Sequence, residues 1–389
     1  MRRSLLTLVL AAAVAPVTFV GVSAAAPPTT CQGRPATLTG TDGDDVLEGN
    51  LLPEVVHLGE GDDVFNGHGG DDVVCGGPGD DLLLGGAGDD VLDGGAGGDT
   101  LIGGDGDDRV WGRGGADGIG EGPGDDRVAG GGGHDLLSYE DFDGGPVRVD
   151  GARATVDGAG HDQYGQVEMV RGTPAADRMV GGPDADVFDG GGGADVVRGR
   201  GGDDVLRGRG ATVSGGAGAD DVVVVGGSGH GNGGHDRVVG SAGARTTGDG
   251  GKDRMRADGR TTALGGAGHD VLEVRSRRAG RLDGGRGTDT LLFPRFRTGV
   301  RVDLPRRRAA WRGGAVTVVS VEVVRGTRYD DRLVGTGARN LLDGRGGDDV
   351  LRGGAGNDIL LGRRGFDRGS GGPGGDVCAT EVALTCEVR

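Results

Sequence analysis

The sequence predicts an all-β fold, a solenoid of short parallel strands, and three observations predict it. A nine-residue period runs unbroken from Gly40 to Ser138. Its eighth position stays apolar through eleven segments: Leu47, Val56, Phe65, Val74, Leu83, Leu92, Leu101, Val110, Ile119, Val128 and Leu137. Third, the chain of 389 residues contains 93 Gly and is only 3% aromatic, too few bulky side chains for a compact core of that length to offset chain entropy. A disordered polyanion would have no reason to hold its apolar residues in one register. A short fixed period stacks similar turns, each supported by its neighbours.

In chain order, residues 1–25 read as a secretory signal peptide. Arg2 and Arg3 form the charged start, Leu5 to Val22 the apolar stretch, and small residues follow through Ala26. An uncleaved membrane anchor is the alternative, although the Ala-rich run is only marginally long enough to span a bilayer. Residues 26–39 are a lead segment. Four cysteines in an exported chain suggest two disulfides. Cys31 with Cys75 would tie the lead segment onto the fourth repeat, and Cys378 with Cys386 would close a terminal loop. Both would staple a solenoid end, where fraying is worst.

Residues 40–138 form the first repeat block. Gly at positions one, two and four permits backbone conformations that side chains forbid. Asp at position six brings a carboxylate to the end of the turn, and positions seven to nine suffice for a short strand with one inward apolar residue. Two nonapeptides make one full turn, so repeats eighteen residues apart stack on one face. One face then carries Asp45, Asp63, Asp81, Asp99, Asp117 and Asp135, and the other Asp72, Asp90, Asp108 and Asp126. The block holds 24 acidic against 3 basic side chains, or −21, within a chain of formal net charge −18. Such a block repels itself unless cations neutralise it. Every regular ligand candidate is an oxygen, with no thiolate or imidazole in phase. That is hard-cation chemistry, and a flexible Gly-rich cage suits Ca²⁺ better than the strict octahedron of Mg²⁺.

These segments, such as Gly85-Gly-Ala-Gly-Asp-Asp90-Val-Leu92-Asp93, resemble the Gly-Gly-x-Gly-x-Asp-x-apolar-x repeat of the RTX, or hemolysin-type, calcium-binding family. The resemblance is close over 40–138, 172–207 and 326–379 and loose over 208–292. It implies a parallel β-roll that folds on binding multiple Ca²⁺ ions outside the cell. It also implies that the sixth-position aspartates inherit the ligand role. Glu54, Leu52 and Leu58 depart from the pattern early in the first block, Asn340 departs near the end, and Gly369 leaves its repeat without a core side chain.

Residues 139–171 lose the period and read as a non-calcium β insert. The roll resumes over 172–292, with Asp177, Asp186, Asp195 and Asp204 in phase. It is irregular after 207, where single repeats survive around Asp270 and Asp289. Residues 293–325 form a second non-calcium insert. Val147-Arg-Val-Asp150 matches Val300-Arg-Val-Asp303, and Val167-Glu-Met-Val-Arg-Gly-Thr173 matches Val321-Glu-Val-Val-Arg-Gly-Thr327. Strand-forming Val runs favour inserted strands over linkers. Six repeats follow over 326–379, with ligand candidates Asp331, Asp349, Asp358 and Asp367, and 380–389 is a tail with the second disulfide.

Residues 271–312 carry 12 Arg against 4 acidic residues. Such a stretch either neutralises the acidic surface or grips a cell-wall polymer or another surface glycan. With little aromatic interleaving, nucleic acid is not expected. No His-Glu-x-x-His occurs, and Ser228 lacks the closing Gly of a nucleophile elbow. No span of a hundred residues remains to house a catalytic domain, so the expectation is a secreted, non-enzymatic calcium-binding module.

Overall fold

A computed structural model describes residues 29–140, 145–150, 153–156, 160–275 and 280–388. The expected signal peptide lies outside the described residues. The described chain is all β and contains no helix. It divides into two compact units, residues 1–179 and 180–389.

In the first unit two parallel sheets face each other across a narrow interior. One stacks Val46–Glu48, Val64–Asn66, Leu82–Ala87, Thr100–Asp105, Gly118–Gly120, Leu136–Ser138 and Met169–Arg171. Its register places Leu47 on Phe65, then Leu83, Leu101, Ile119, Leu137 and Val170. The other sheet runs Val56, Val74, Leu92, Val110 and Val128 in the same way. The eighth-position residues therefore stack on one another, and from Val56 onward nearly all are fully buried. Each coil places one inward side chain per strand, so burial of about 1.5–3 kcal/mol per Leu or Val recurs every nine residues.

The second unit uses the same principle with turns of varying length. One sheet aligns Phe188, Leu206, Val222, Val238, Met255, Leu272, Leu291, Val324, Leu342, Leu360 and Cys378. The opposite sheet aligns Val197, Val213, Gly229, Thr246, Ala263, Leu282 and Val318. Its small residues Gly229, Thr246 and Ala263 match the stretch where the nine-residue phase slips.

Both inserts are antiparallel meanders set into a parallel sheet. Val147–Asp150, Arg153–Val156 and Gly160–Gly165 pair antiparallel in succession, and the last of them lies parallel on Arg127–Gly133. Val300–Asp303, Arg308–Trp311 and Gly314–Val319 repeat the arrangement, leaning on Arg281–Gly287 at one end and Arg332–Val334 at the other. The two matching sequence motifs thus build matching structures.

Disulfides join Cys31 to Cys75 and Cys378 to Cys386. The gap expected at Gly369 is filled from elsewhere. A methyl group there would meet Thr380 Oγ1 at 2.8 Å and Cys378 Sγ at 3.5 Å, so the terminal loop already occupies the space a side chain would take.

Candidate metal centre

The sixth-position aspartates form ladders inside each unit. One carboxylate oxygen, Oδ1, accepts the backbone N–H of the aspartate one turn earlier. In the first unit Asp45, Asp63, Asp81, Asp99 and Asp117 donate in turn to Asp63, Asp81, Asp99, Asp117 and Asp135, at 2.8–2.9 Å. On the opposite side Glu54, Asp72, Asp90 and Asp108 donate to Asp72, Asp90, Asp108 and Asp126, also at 2.8–2.9 Å. The predicted two-face series is therefore the ladder order in the structure.

The other oxygen, Oδ2, has no such partner. In Asp63, Asp72, Asp81, Asp90, Asp99, Asp108, Asp117, Asp126 and Asp135 it is buried without a hydrogen bond among the described residues. Glycine at position one makes room for it: a methyl group on Gly85 would stand 2.4 Å from Asp90 Oδ2. Positions two and four have a different reason to be glycine. Gly86 and Gly88 adopt φ of +111° and +137°, and a methyl group on Gly88 would lie 2.3 Å from the Gly70 carbonyl oxygen of the coil beneath.

Among the described residues, no Arg, Lys or His side chain pairs with these inward carboxylates. Several arginines pair with other carboxylates instead, as Arg113 does with Asp93 at 2.8 Å, Arg281 with Asp283 at 2.8 Å and Arg363 with Asp343 at 3.2 Å. Burial raises the ladder carboxyls, the backbone N–H partly offsets the rise, and neighbouring carboxylates add to it. Asp81 stands at about 6, Asp99 at about 7 and Asp108 at about 8. An anion that is buried, unpaired and raised by its neighbours calls for a cation. The donor set, carboxylate and carbonyl oxygens on glycine-rich turns, fits Ca²⁺.

In the second unit the ladder crosses the irregular stretch that the nine-residue period does not describe. Asp186 donates to Asp204, then Asp204 to Asp220, Asp220 to Asp236, Asp236 to Asp253, Asp253 to Asp270 and Asp270 to Asp289, all at 2.8–2.9 Å. After Asp204 the steps are 16, 16, 17, 17 and 19 residues. Asp204, Asp220, Asp236, Asp253, Asp270 and Asp289 each keep a buried, unpartnered Oδ2, and Asp195 is buried in the same unit. Asp220, Asp236 and Asp253 fall outside the nine-residue period. Their signal is Gly-x-x-Gly-x-Asp, as in Gly231-Asn-Gly-Gly-His-Asp236. Only the turn on the opposite side is shortened. Further on, Asp349, Asp358 and Asp367 are joined by Asp376, which also carries a buried, unpartnered Oδ2.

The structure also separates the predicted ligands into two groups. Asp45, Asp177, Asp186 and Asp331 have Oδ2 occupied by a backbone N–H from their own turn: Thr41 at 2.6 Å, Thr173 at 2.8 Å, Gly182 at 2.8 Å and Thr327 at 2.6 Å. Three of these follow a Gly-Thr pair, and the threonine hydroxyl adds a second bond. Their turns close on themselves. Asn340 does the same with Thr336 at 2.6 Å.

At the inserts and the C-terminus the ladders end on partners other than aspartates of the array. Glu168, Glu322 and Glu381 accept the N–H of Asp135, Asp289 and Asp367 at 2.7, 2.9 and 2.7 Å. Asp162 accepts the N–H of Asp126 at 3.2 Å and the Tyr139 hydroxyl at 2.8 Å. Position five carries a second, exposed ladder in which Asp62 Oδ1 accepts from Asp80 N–H at 2.9 Å and Asp71 Oδ1 from Asp89 N–H at 3.1 Å.

Compared with known families, the chain matches the model of the RTX calcium-binding nonapeptide repeat over residues 36–51, 53–83, 84–119, 122–141, 171–206, 230–246 and 325–360. The match enters the irregular stretch at 230–246, where Asp236 lies. No curated protein matches the chain.

Proposed function

Because the chain belongs to the RTX calcium-binding nonapeptide repeat family, we propose that it is a secreted protein whose rolls fold on binding several Ca²⁺ ions outside the cell. It serves as a structural or adhesive module without catalysis. The observation that carries this reading is the row of buried, unpartnered Oδ2 atoms at regular spacing. The ligand set is Asp63, Asp72, Asp81, Asp90, Asp99, Asp108, Asp117, Asp126 and Asp135, continued by Asp204, Asp220, Asp236, Asp253, Asp270, Asp289, Asp349, Asp358, Asp367 and Asp376. Extracellular Ca²⁺ modules commonly bind at ~10⁻⁴–10⁻³ M, and two disulfides suit an oxidising compartment. Calorimetric titration of the chelator-stripped chain tests the reading. Several ions binding per chain supports it, and a chain that takes up none overturns it.

A second reading rests on a separate feature. Arg275, Arg295, Arg297 and Arg312 line a cavity of about 620 Å³ beside Phe296 and Trp311. Arg275 is held by the buried Glu273 at 2.8 Å, whereas Arg295, Arg297 and Arg312 are exposed and face no carboxylate among the described residues. Phe293, Phe296 and Trp311 brace one another edge to face, with ring centroids 4.9–6.4 Å apart. A cationic rim on an aromatic wall suits an acidic glycan of the cell wall. Sedimentation with purified wall tests it: loss of binding in Arg295→Ala/Arg297→Ala/Arg312→Ala supports the reading, and undiminished binding removes it.

A further inference from the structure

Position one of the repeat is glycine because the neighbouring aspartate fills the space a side chain would need. In the first block two residues break that rule. Leu58 supplies an apolar side chain and is fully buried. Glu121, which opens the segment Glu121-Gly-Pro-Gly-Asp-Asp126, puts a carboxylate in the interior and is only 6% exposed. It reaches the position-one glycine of the preceding coil: a methyl group on Gly103 would meet Asp108 Oδ2 at 2.4 Å and Glu121 Oε2 at 2.6 Å.

There it joins two ladder aspartates. One carboxylate oxygen from each of Asp108, Glu121 and Asp126 falls within a 4.8 Å group, and all three residues are buried. Both oxygens of Glu121 lack a hydrogen-bond partner, as do Asp108 Oδ2 and Asp126 Oδ2. The Oδ1 atoms of Asp108 and Asp126 are taken by backbone N–H groups of the ladder, and the next carboxylate of the column, Asp162, is engaged by Asp126 N–H and the Tyr139 hydroxyl. Three formal negative charges in one buried space, with no cationic side chain paired to them among the described residues, are tolerable only when a cation or protons share them.

We propose that Glu121 is an additional ligand, giving the inter-coil site between Asp108 and Asp126 a third carboxylate that the repeat pattern lacks. Among oxygen-ligated Ca²⁺ sites, affinity rises with ligand charge and rigidity. This site is therefore the tightest of its column and the last to empty. It stands one coil before the first insert, where the regular ladder ends, so it anchors the end of that block.

The inference rests on the calcium reading, and the experiment separates the two. The full chain, Glu121→Gln and Glu121→Gly are equilibrated with Ca²⁺ at buffered free concentrations, and bound ions are counted. Glu121→Gly restores the pattern residue, so it decides the matter even where Glu121→Gln fails to fold; circular dichroism in saturating Ca²⁺ reports folding. The expected result is one ion that the wild type retains at a free Ca²⁺ on the order of tenfold lower than either variant does. Identical retention by all three proteins overturns the inference while leaving the calcium reading intact. Retention by Glu121→Gln but not by Glu121→Gly also overturns it, because side-chain volume rather than charge would then be responsible. Failure of every protein to bind Ca²⁺ overturns both.

Discussion

At the scale of single residues, the division between partnered and unpartnered aspartates has opposite consequences for two substitutions that look alike. Asp99 keeps a buried, unpartnered Oδ2, and its carboxyl is pushed up to about 7, first by burial and then by Asp81 and Asp117. Asp99→Asn removes a buried charge that at neutral pH a cation would balance. Ca²⁺ affinity at that place should fall by about tenfold or more, while the metal-free chain loses a buried charge and gains stability. Asp45, satisfied by Thr41, should change Ca²⁺ binding little when made Asn. Calcium titrations of the two variants side by side check this. The raised carboxyls also set a pH dependence. An acid whose pKa is higher folded than unfolded binds more protons when folded, so its contribution is present in acid and is lost as pH rises. From an ordinary 3.8, Asp81, Asp99, Asp108 and Asp349 rise to about 6, 7, 8 and 8. The metal-free chain should therefore hold most β structure below about pH 4 and lose it between pH 4 and 8. Far-ultraviolet circular dichroism in chelator across that range reads the effect directly, and a signal growing with pH would contradict it.

At the scale of elements, the parts legible in the sequence were those in which one coil is two equal nonapeptides. There the apolar residue at position eight and the aspartate at position six fall on fixed numbers, and strands such as Leu82–Ala87 and Val91–Ala96 follow. Asp220, Asp236 and Asp253 were not legible by that rule, because the coil is shortened on one side only. The aspartate-bearing turn keeps its Gly-x-x-Gly-x-Asp form while the opposite sheet narrows to Gly229, Thr246 and Ala263. Periodicity tests length, whereas the ladder tests only whether one turn can sit on the next. Glu121 stayed hidden for a related reason: at position one a charged residue reads as an exposed exception until the inward direction of that position is known. The inserts show a third case. Their Val runs announce strands, but the use of Glu168 and Glu322 to receive the last ladder N–H groups emerges only from the pairing. From the continuity of the ladder, Asp236→Asn/Asp253→Asn should remove about as many bound ions as Asp81→Asn/Asp99→Asn does in the regular block. Ion counting at saturating Ca²⁺ checks it, and an unchanged count would mean that the shortened coils take no metal.

At the scale of the whole molecule, composition and structure meet in the charge. A chain of formal net charge −18 turns many of its carboxylates inward, while Arg113, Arg237, Arg281 and Arg363 pair with Asp93, Asp221, Asp283 and Asp343. The apolar interior is built from a few inward side chains per coil, so hydrophobic burial alone is a modest opponent to that repulsion. In the proposed reading, cations between coils would reverse the balance by neutralising the ladders and cross-linking successive turns, and folding and binding would be a single event. Circular dichroism of the chain without residues 1–25, stripped with chelator and titrated with Ca²⁺ at neutral pH, tests that claim most directly. The account predicts little β signal in chelator and a cooperative rise that is complete by millimolar Ca²⁺. A full β signal in chelator, unmoved by millimolar Ca²⁺, would contradict it.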